Sequence, residues 1–158
     1  MRQAWKAMLV VGLGVVSSGC VSVSSSRSEL QGAEASRTSE APIKTVYHFT
    51  QGVDEASRGL GNVRNHLAAD PSAHIVVVAN GPGIDFLLAG AKDKNGAAFD
   101  AAVSELKARG VDFRLCRNTV TSRKIDPSTL NPEAQIVPSG VAEAARLQAR
   151  EGYSYLRP

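Results

Sequence analysis

The sequence predicts a three-layer α/β domain of about five mostly parallel strands over residues 43–158. Three observations carry this. Short β-branched segments alternate with stretches of helical periodicity from Lys44 onward, the order that builds a parallel sheet with helices on its faces. Ala73-His-Ile-Val-Val-Val-Ala79 is an apolar run without polar alternation, as expected of a central strand covered on both sides. The helical stretches keep their apolar residues on one stripe, so each has a face to bury against that sheet.

Taken in order, Lys44 to Phe49 is β-branched and aromatic and reads as a strand. Asp54 to Ala69 places Ala56, Leu60, Val63 and Leu67 at helical spacing and is stopped by Asp70-Pro71. After the central strand, Asn80-Gly-Pro-Gly83 is a tight turn, followed by a short helix from Ile84 to Ala91 and a loop from Lys92 to Gly96. Ala97 to Arg109 is the clearest helix, with Phe99, Val103 and Leu106 aligned and Gly110 placed to end it. Val111 to Cys116 alternates as a strand. Ile125 to Pro132 is loop or a short helical turn, and Ala134 to Val137 is a short strand. Ser139 is an N-cap for Gly140 to Arg150, and Gly152 to Leu156 closes the domain as a strand.

Residues 1–20 read as an export signal. Arg2 and Lys6 give a positive start, Ala7 to Val16 an apolar run, and Ser17-Ser-Gly-Cys20 a small-residue cleavage region. A run of about ten apolar residues is too short for a membrane-spanning helix. Ser17-Ser-Gly-Cys20 resembles a bacterial lipobox, although Ser17 stands where an aliphatic residue is usual. Two readings follow: lipidation at Cys20, which would anchor the chain to the outer membrane, or ordinary cleavage to a free periplasmic product. The membrane is met only through that anchor. Residues 21–42 are serine-rich and charged and cannot bury enough apolar surface to order themselves. As a flexible linker they would span roughly 25 Å.

The formal charge of +3 does not point to nucleic acid. Removing the signal with Arg2 and Lys6 from the 18 basic side chains leaves 16 against 15 acidic ones. Such a balance offers no electrostatic footprint for DNA or RNA.

Ligands of open parallel sheets gather beyond the carboxyl ends of the strands. Three features fall there: His48 to Thr50, the Asn80-Gly81-Pro82-Gly83 turn, and Cys116 with the cationic segment after it. With Cys20 in the signal, Cys116 has no disulfide partner and is a free thiol. A helix starting just after it would turn free N–H groups toward the sulfur, and Arg117 and Arg123 would add positive potential; both favour the thiolate, a nucleophile toward sulfur or disulfides. The plain alternative is a small buried side chain packing the strand end. Within the strand, Asp112, Arg114 and Cys116 share one face and Val111, Phe113 and Leu115 the other, so the thiol lies on the more polar side, which argues against burial.

The Asn80 to Gly83 turn could offer amides to an anion through Asn80, Gly81 and Gly83. It matches neither the dinucleotide fingerprint nor the phosphate loop, and the plain reading is a tight turn. His48 is either an acid or base at the strand edge or a structural histidine. His66 and His74 have no ligand-like spacing, so no metal site is expected, and no cofactor motif is present.

Phe113-Arg-Leu-Cys-Arg-Asn-Thr119, Ile136-Val-Pro-Ser-Gly-Val-Ala-Glu143 and Arg146-Leu-Gln-Ala-Arg-Glu-Gly-Tyr153, with the Ala79 to Ile84 turn, resemble the DsrE/DsrF-like family across nearly all of residues 43–158. The resemblance implies a flavodoxin-like three-layer fold and assembly into trimers or hexamers. In the sulfur-relay branch it implies a strand-end cysteine that carries a persulfide between a donor and an acceptor, protein or small thiol. Cys116 is the matching position; the residues themselves put Arg117, Asn118 and Arg123 forward to stabilise its anion. Relay proteins of this kind act in the cytoplasm, whereas an export signal places this chain in the periplasm. The alternative is a non-catalytic, oligomeric ligand-binding or assembly module of the envelope.

Overall fold

The computed structural model describes residues 41–158, so the expected export signal, its Cys20 and most of the linker lie outside the described residues. β1 (Lys44–Phe49) leads through α1 (Gly52–Ala69) to β2 (His74–Ala79). A 3₁₀ helix (Gly81–Leu87) and α2 (Phe99–Ala108) connect β2 to β3 (Asp112–Cys116). α3 (Arg117–Ser122) and a 3₁₀ turn (Pro127–Thr129) precede β4 (Ala134–Val137), and α4 (Gly140–Glu151) leads to β5 (Ser154–Leu156). The strands form one sheet in the order β4-β3-β2-β1-β5, with every neighbouring pair parallel. This is the predicted α/β architecture.

The two faces of the sheet differ in what covers them. Tyr47 and Phe49 of β1, Ile75 and Val77 of β2, and Phe113 and Leu115 of β3 point to one side, where they join Leu60, Val63 and Leu67 of α1, Val103 and Leu106 of α2, and Phe86 in a single large core. Each such side chain contributes about 1.5–3 kcal/mol through burial, so this face supplies most of the stability. On the other face, among the described residues, Val46, Val76 and Val78 meet Leu147 and the partly buried Tyr153. Among the described residues α4 spans that face, packing on β1, β2, β3 and β5 as the chain crosses from the β4 edge back to the β5 edge.

Local chemistry moves several boundaries from their predicted places. α1 starts at Gly52 because the buried carboxylate of Glu55 accepts the backbone N–H groups of Thr50 and of Gln51, the latter at 2.6 Å. That satisfies donors which a helix start leaves free. The helix predicted from Ile84 to Ala91 is instead the 3₁₀ segment Gly81–Leu87. Pro82 occupies its first turn, and Leu88 swings to extended geometry to bridge Leu130. α2 begins at Phe99 because Ala98 is drawn into a bridge with Lys92. Ser139 caps α4 as predicted, accepting the Ala142 N–H at 3.4 Å.

Candidate functional site

The carboxyl ends of β1, β2 and β3 bring His48, Asn80 and Cys116 to one edge of the sheet, on the face that α4 covers. Cys116 is both the last residue of β3 and the N-cap of α3. Its thiol is free, and it is only 5% exposed. The alternation that sets Cys116 apart from Phe113 and Leu115 is present, but the inference of an open thiol is corrected. α4 lies over the polar side of β3, and its first residue, Gly140, closes the space above the sulfur. A Cβ at Gly140 would stand 3.1 Å from the Asn80 Cβ, 3.2 Å from the Cys116 Cβ and 3.4 Å from the Ala79 carbonyl. Glycine is what permits the helix start to settle there.

Burial alone pushes the Cys116 thiol up, since the thiolate loses water. Polar groups around it outweigh that cost: the Gly140 amide from α4, the Thr119 hydroxyl and amide, and the Asn118 amide from α3 leave its pKa below the ordinary thiol value, although as N-cap of α3 the side chain makes no capping hydrogen bond. Two helix starts thus gather their free donors around one atom. The Thr119 hydroxyl is oriented from behind. Its Oγ1 accepts the Gly81 N–H at 2.9 Å, which leaves the hydroxyl hydrogen free to donate. The Asn80–Gly83 turn and the cysteine, separate candidates in the sequence, are therefore parts of one arrangement.

The turn itself is clamped. Asn80 N–H donates to the Phe49 carbonyl at 3.1 Å and Gly83 N–H to the Asn80 carbonyl at 3.0 Å. Any Cβ at Gly83 would collide with the Phe49 carbonyl, so this glycine serves backbone packing and not a ligand. Arg123 donates to the Gly81 carbonyl at 3.2 Å and pairs with Asp85 at 2.6 Å. Its charge is spent on holding the turn, and it is not among the groups that lower the Cys116 pKa. Arg117 is exposed and makes no ion pair among the described residues. Asn118 takes part through its amide, while its side chain faces solvent.

His48 is 8% exposed and has both ring nitrogens occupied. Nδ1 lies 3.0 Å from the Tyr155 hydroxyl and Nε2 2.6 Å from Asn80 Oδ1. Beneath the cysteine, Arg114 pairs with Glu143 of α4, whose carboxylate also holds Arg146 at 2.7 Å and is held down to about 2 by the Arg146 and Arg114 hydrogen bonds. This ties α4 to β3 one turn from Gly140. Among the described residues no three His, Cys, Asp or Glu side chains gather into a metal-binding group. A hollow of about 160 Å³ lined by Ser57, Leu60, Arg64 and Phe99 lies among the helices of the other face, away from the sulfur.

A sequence model described as the DsrE/DsrF-like family matches residues 14–158. The chain belongs to the DsrE/DsrF-like family. Solved structures agree. The protein of unknown function MTH1491 from Methanobacterium thermoautotrophicum is 32% identical, covering 73% of this chain and 99% of its own, with a TM-score of 0.65. The ychN protein from E. coli, 16% identical over 75% of this chain and all of its own, shares the fold at a TM-score of 0.60. No curated protein matches the chain.

Three residues of this DsrE-like site escaped the sequence reading: Thr119, Gly140 and Tyr155. Two left a signal. A threonine three residues after an N-cap cysteine is placed to face it across the first turn of α3. A glycine at the first helical position after Ser139 has no propensity to recommend it there. Tyr155 left none.

Proposed function

We propose that this DsrE-like protein is a thiol-based sulfur carrier whose Cys116 is loaded with sulfane sulfur from a low-molecular-weight persulfide or polysulfide. One free, buried thiol at the junction of two helix starts, its pKa lowered by the Gly140, Asn118 and Thr119 groups around it, carries the proposal. In loading, the Cys116 thiolate attacks the sulfane sulfur of R–S–SH; the S–S bond of the donor breaks, RS⁻ leaves, and Cys116 carries the persulfide. In unloading, an acceptor thiolate attacks the outer sulfur, and the Cys116 thiolate departs into its cage of donors. A stabilised thiolate is the better leaving group, so the cage favours delivery. Neither step changes the net oxidation state of the pair. Burial to 5% favours a one-atom cargo over a bulky mixed disulfide.

The proposal extends to place. The positive start, the apolar run and Ser17-Ser-Gly-Cys20 support action in the periplasm, with Cys20 as a lipid anchor to the outer membrane. No helix among the described residues is long and apolar enough to cross a membrane. Metabolic labelling with a fatty acid, lost in Cys20→Ser, tests the anchor. The loading test is mass spectrometry after incubation with inorganic polysulfide. One added sulfur, removed by reductant and absent from Cys116→Ser, is expected; an equally abundant adduct on the variant ends the proposal.

A second reading draws on different observations. Val141 is 61% exposed, and Tyr155 and Leu156 of the edge strand β5 are also exposed, apolar surface of the kind that self-association covers. In that reading the chain is an oligomeric assembly module and Cys116 is packing. Cys116→Ala would then leave function intact in a complemented knockout, and sedimentation would show a trimer or hexamer lost on Tyr155→Lys.

A further inference from the structure

Asn80 stands at the N-cap of the 3₁₀ helix, where an asparagine ordinarily turns its oxygen back to a free N–H of its own helix. It makes no such bond. Its Oδ1 is given instead to His48 Nε2 at 2.6 Å, from the neighbouring strand. A local preference set aside in this way marks a side chain held for another purpose.

The hydrogens along this chain can be assigned. Oδ1 only accepts, so Nε2 carries the hydrogen; in the neutral imidazole Nδ1 is then a bare acceptor, and the hydroxyl 3.0 Å from it, that of Tyr155, is the donor. The Tyr155 ring also meets the His48 ring edge-on, at 5.7 Å and 77°. Polarity therefore runs from Tyr155 through His48 to Asn80. The Asn80 amide is fixed with its Nδ2 hydrogens uncommitted among the described residues. Asn80 and Cys116 flank the point that a Cβ on Gly140 would occupy, their own Cβ atoms 3.1 Å and 3.2 Å from it, so the two side chains leave neighbouring strand ends side by side.

We infer that Tyr155 and His48 are positioning residues which hold the Asn80 amide as a donor for the second sulfur once Cys116 carries a persulfide. This rests on the sulfur-carrier proposal above and adds a division of labour. Gly140, Thr119 and Asn118 stabilise the inner sulfur, and Asn80 stabilises the outer one. His48 serves to orient the Asn80 amide.

The test uses the full chain with limiting inorganic polysulfide, measuring persulfide occupancy by mass spectrometry alongside the thiol pKa of the unloaded protein. Tyr155→Phe keeps the ring and removes only the hydroxyl; His48→Gln and Asn80→Ala break the later links. Occupancy is expected to fall about 3- to 10-fold in each, the worth of one hydrogen bond, while the unloaded thiol pKa stays where it is. Wild-type occupancy in Tyr155→Phe, or a thiol pKa that moves as far as the occupancy, overturns the inference and leaves the carrier proposal standing. A wild-type protein that takes no sulfur overturns both. Nitrogen-15 spectra of His48 decide the chain's direction without any sulfur. A hydrogen on Nε2 is expected, turning to a tautomer mixture in Tyr155→Phe, and a hydrogen on Nδ1 in the wild type refutes the assignment.

Discussion

Gly140 brings the first turn of α4 so close to Cys116 that a methyl group there would lie 3.2 Å from the cysteine Cβ. The absence of that methyl lets an amide from a distant part of the chain lie close to the sulfur. In Gly140→Ala the helix start must retreat by a few tenths of an ångström. The Cys116 pKa is therefore expected to rise toward the ordinary thiol value of about 8.5, with persulfide loading at neutral pH falling in step. Titration of the thiolate in the variant checks this; an unchanged midpoint would show that Gly140 contributes no donor.

Thr119 joins the turn to the thiol: its Oγ1 accepts from Gly81, and its hydroxyl is among the groups that lower the Cys116 pKa. Thr119→Val keeps the shape and removes the hydroxyl, leaving the Gly81 N–H without its partner. Stability is expected to fall by about 1–3 kcal/mol in urea unfolding, and the thiol pKa to rise. Thr119→Ser should restore most of both.

Glu143 links α4 to β3 through Arg146 and Arg114, and its folded pKa of about 2 lies below that of an unfolded glutamate, about 4.3. A depressed carboxylate contributes stability that is complete above the unfolded value and is lost as pH falls through the folded one. Unfolding midpoints measured from pH 7 down to pH 2 should therefore show a decline between about 4.5 and 2, worth roughly 1–3 kcal/mol. Glu143→Gln should be less stable at neutral pH and flatter across that interval.

Lys124 ends α3 at φ 54°, the left-handed region, while Lys124 N–H and Ile125 N–H close back on Thr121 and Val120. A side chain is strained there and glycine is not. Lys124→Gly is expected to stabilise the protein by about 1 kcal/mol in thermal or urea unfolding without altering the thiol.

The parts legible in the sequence are those set by local pattern. The unbroken Ile75–Val78 run marks a central strand, Ser139 a helix start, and Cys116 the end of an alternating strand. What was illegible depends on pairs remote in the chain. Alternation put Cys116 on the polar side of β3 correctly, but nothing near it says that α4 will return across that face and bury it. The charge of Arg123 pointed to the sulfur, until Asp85 is found holding it. His48 acquires its meaning only from Tyr155, brought beside it by the pairing of β1 with β5.

The most direct measurement is the ultraviolet thiolate titration of the wild-type protein, with Cys116→Ser as the blank, because it reads ionisation whether or not reagents can reach the buried sulfur. The donor groups around the sulfur predict a midpoint below the ordinary thiol value of about 8.5. A midpoint at or above that value would mean that burial wins over the amides, and Cys116 would then be a packing residue.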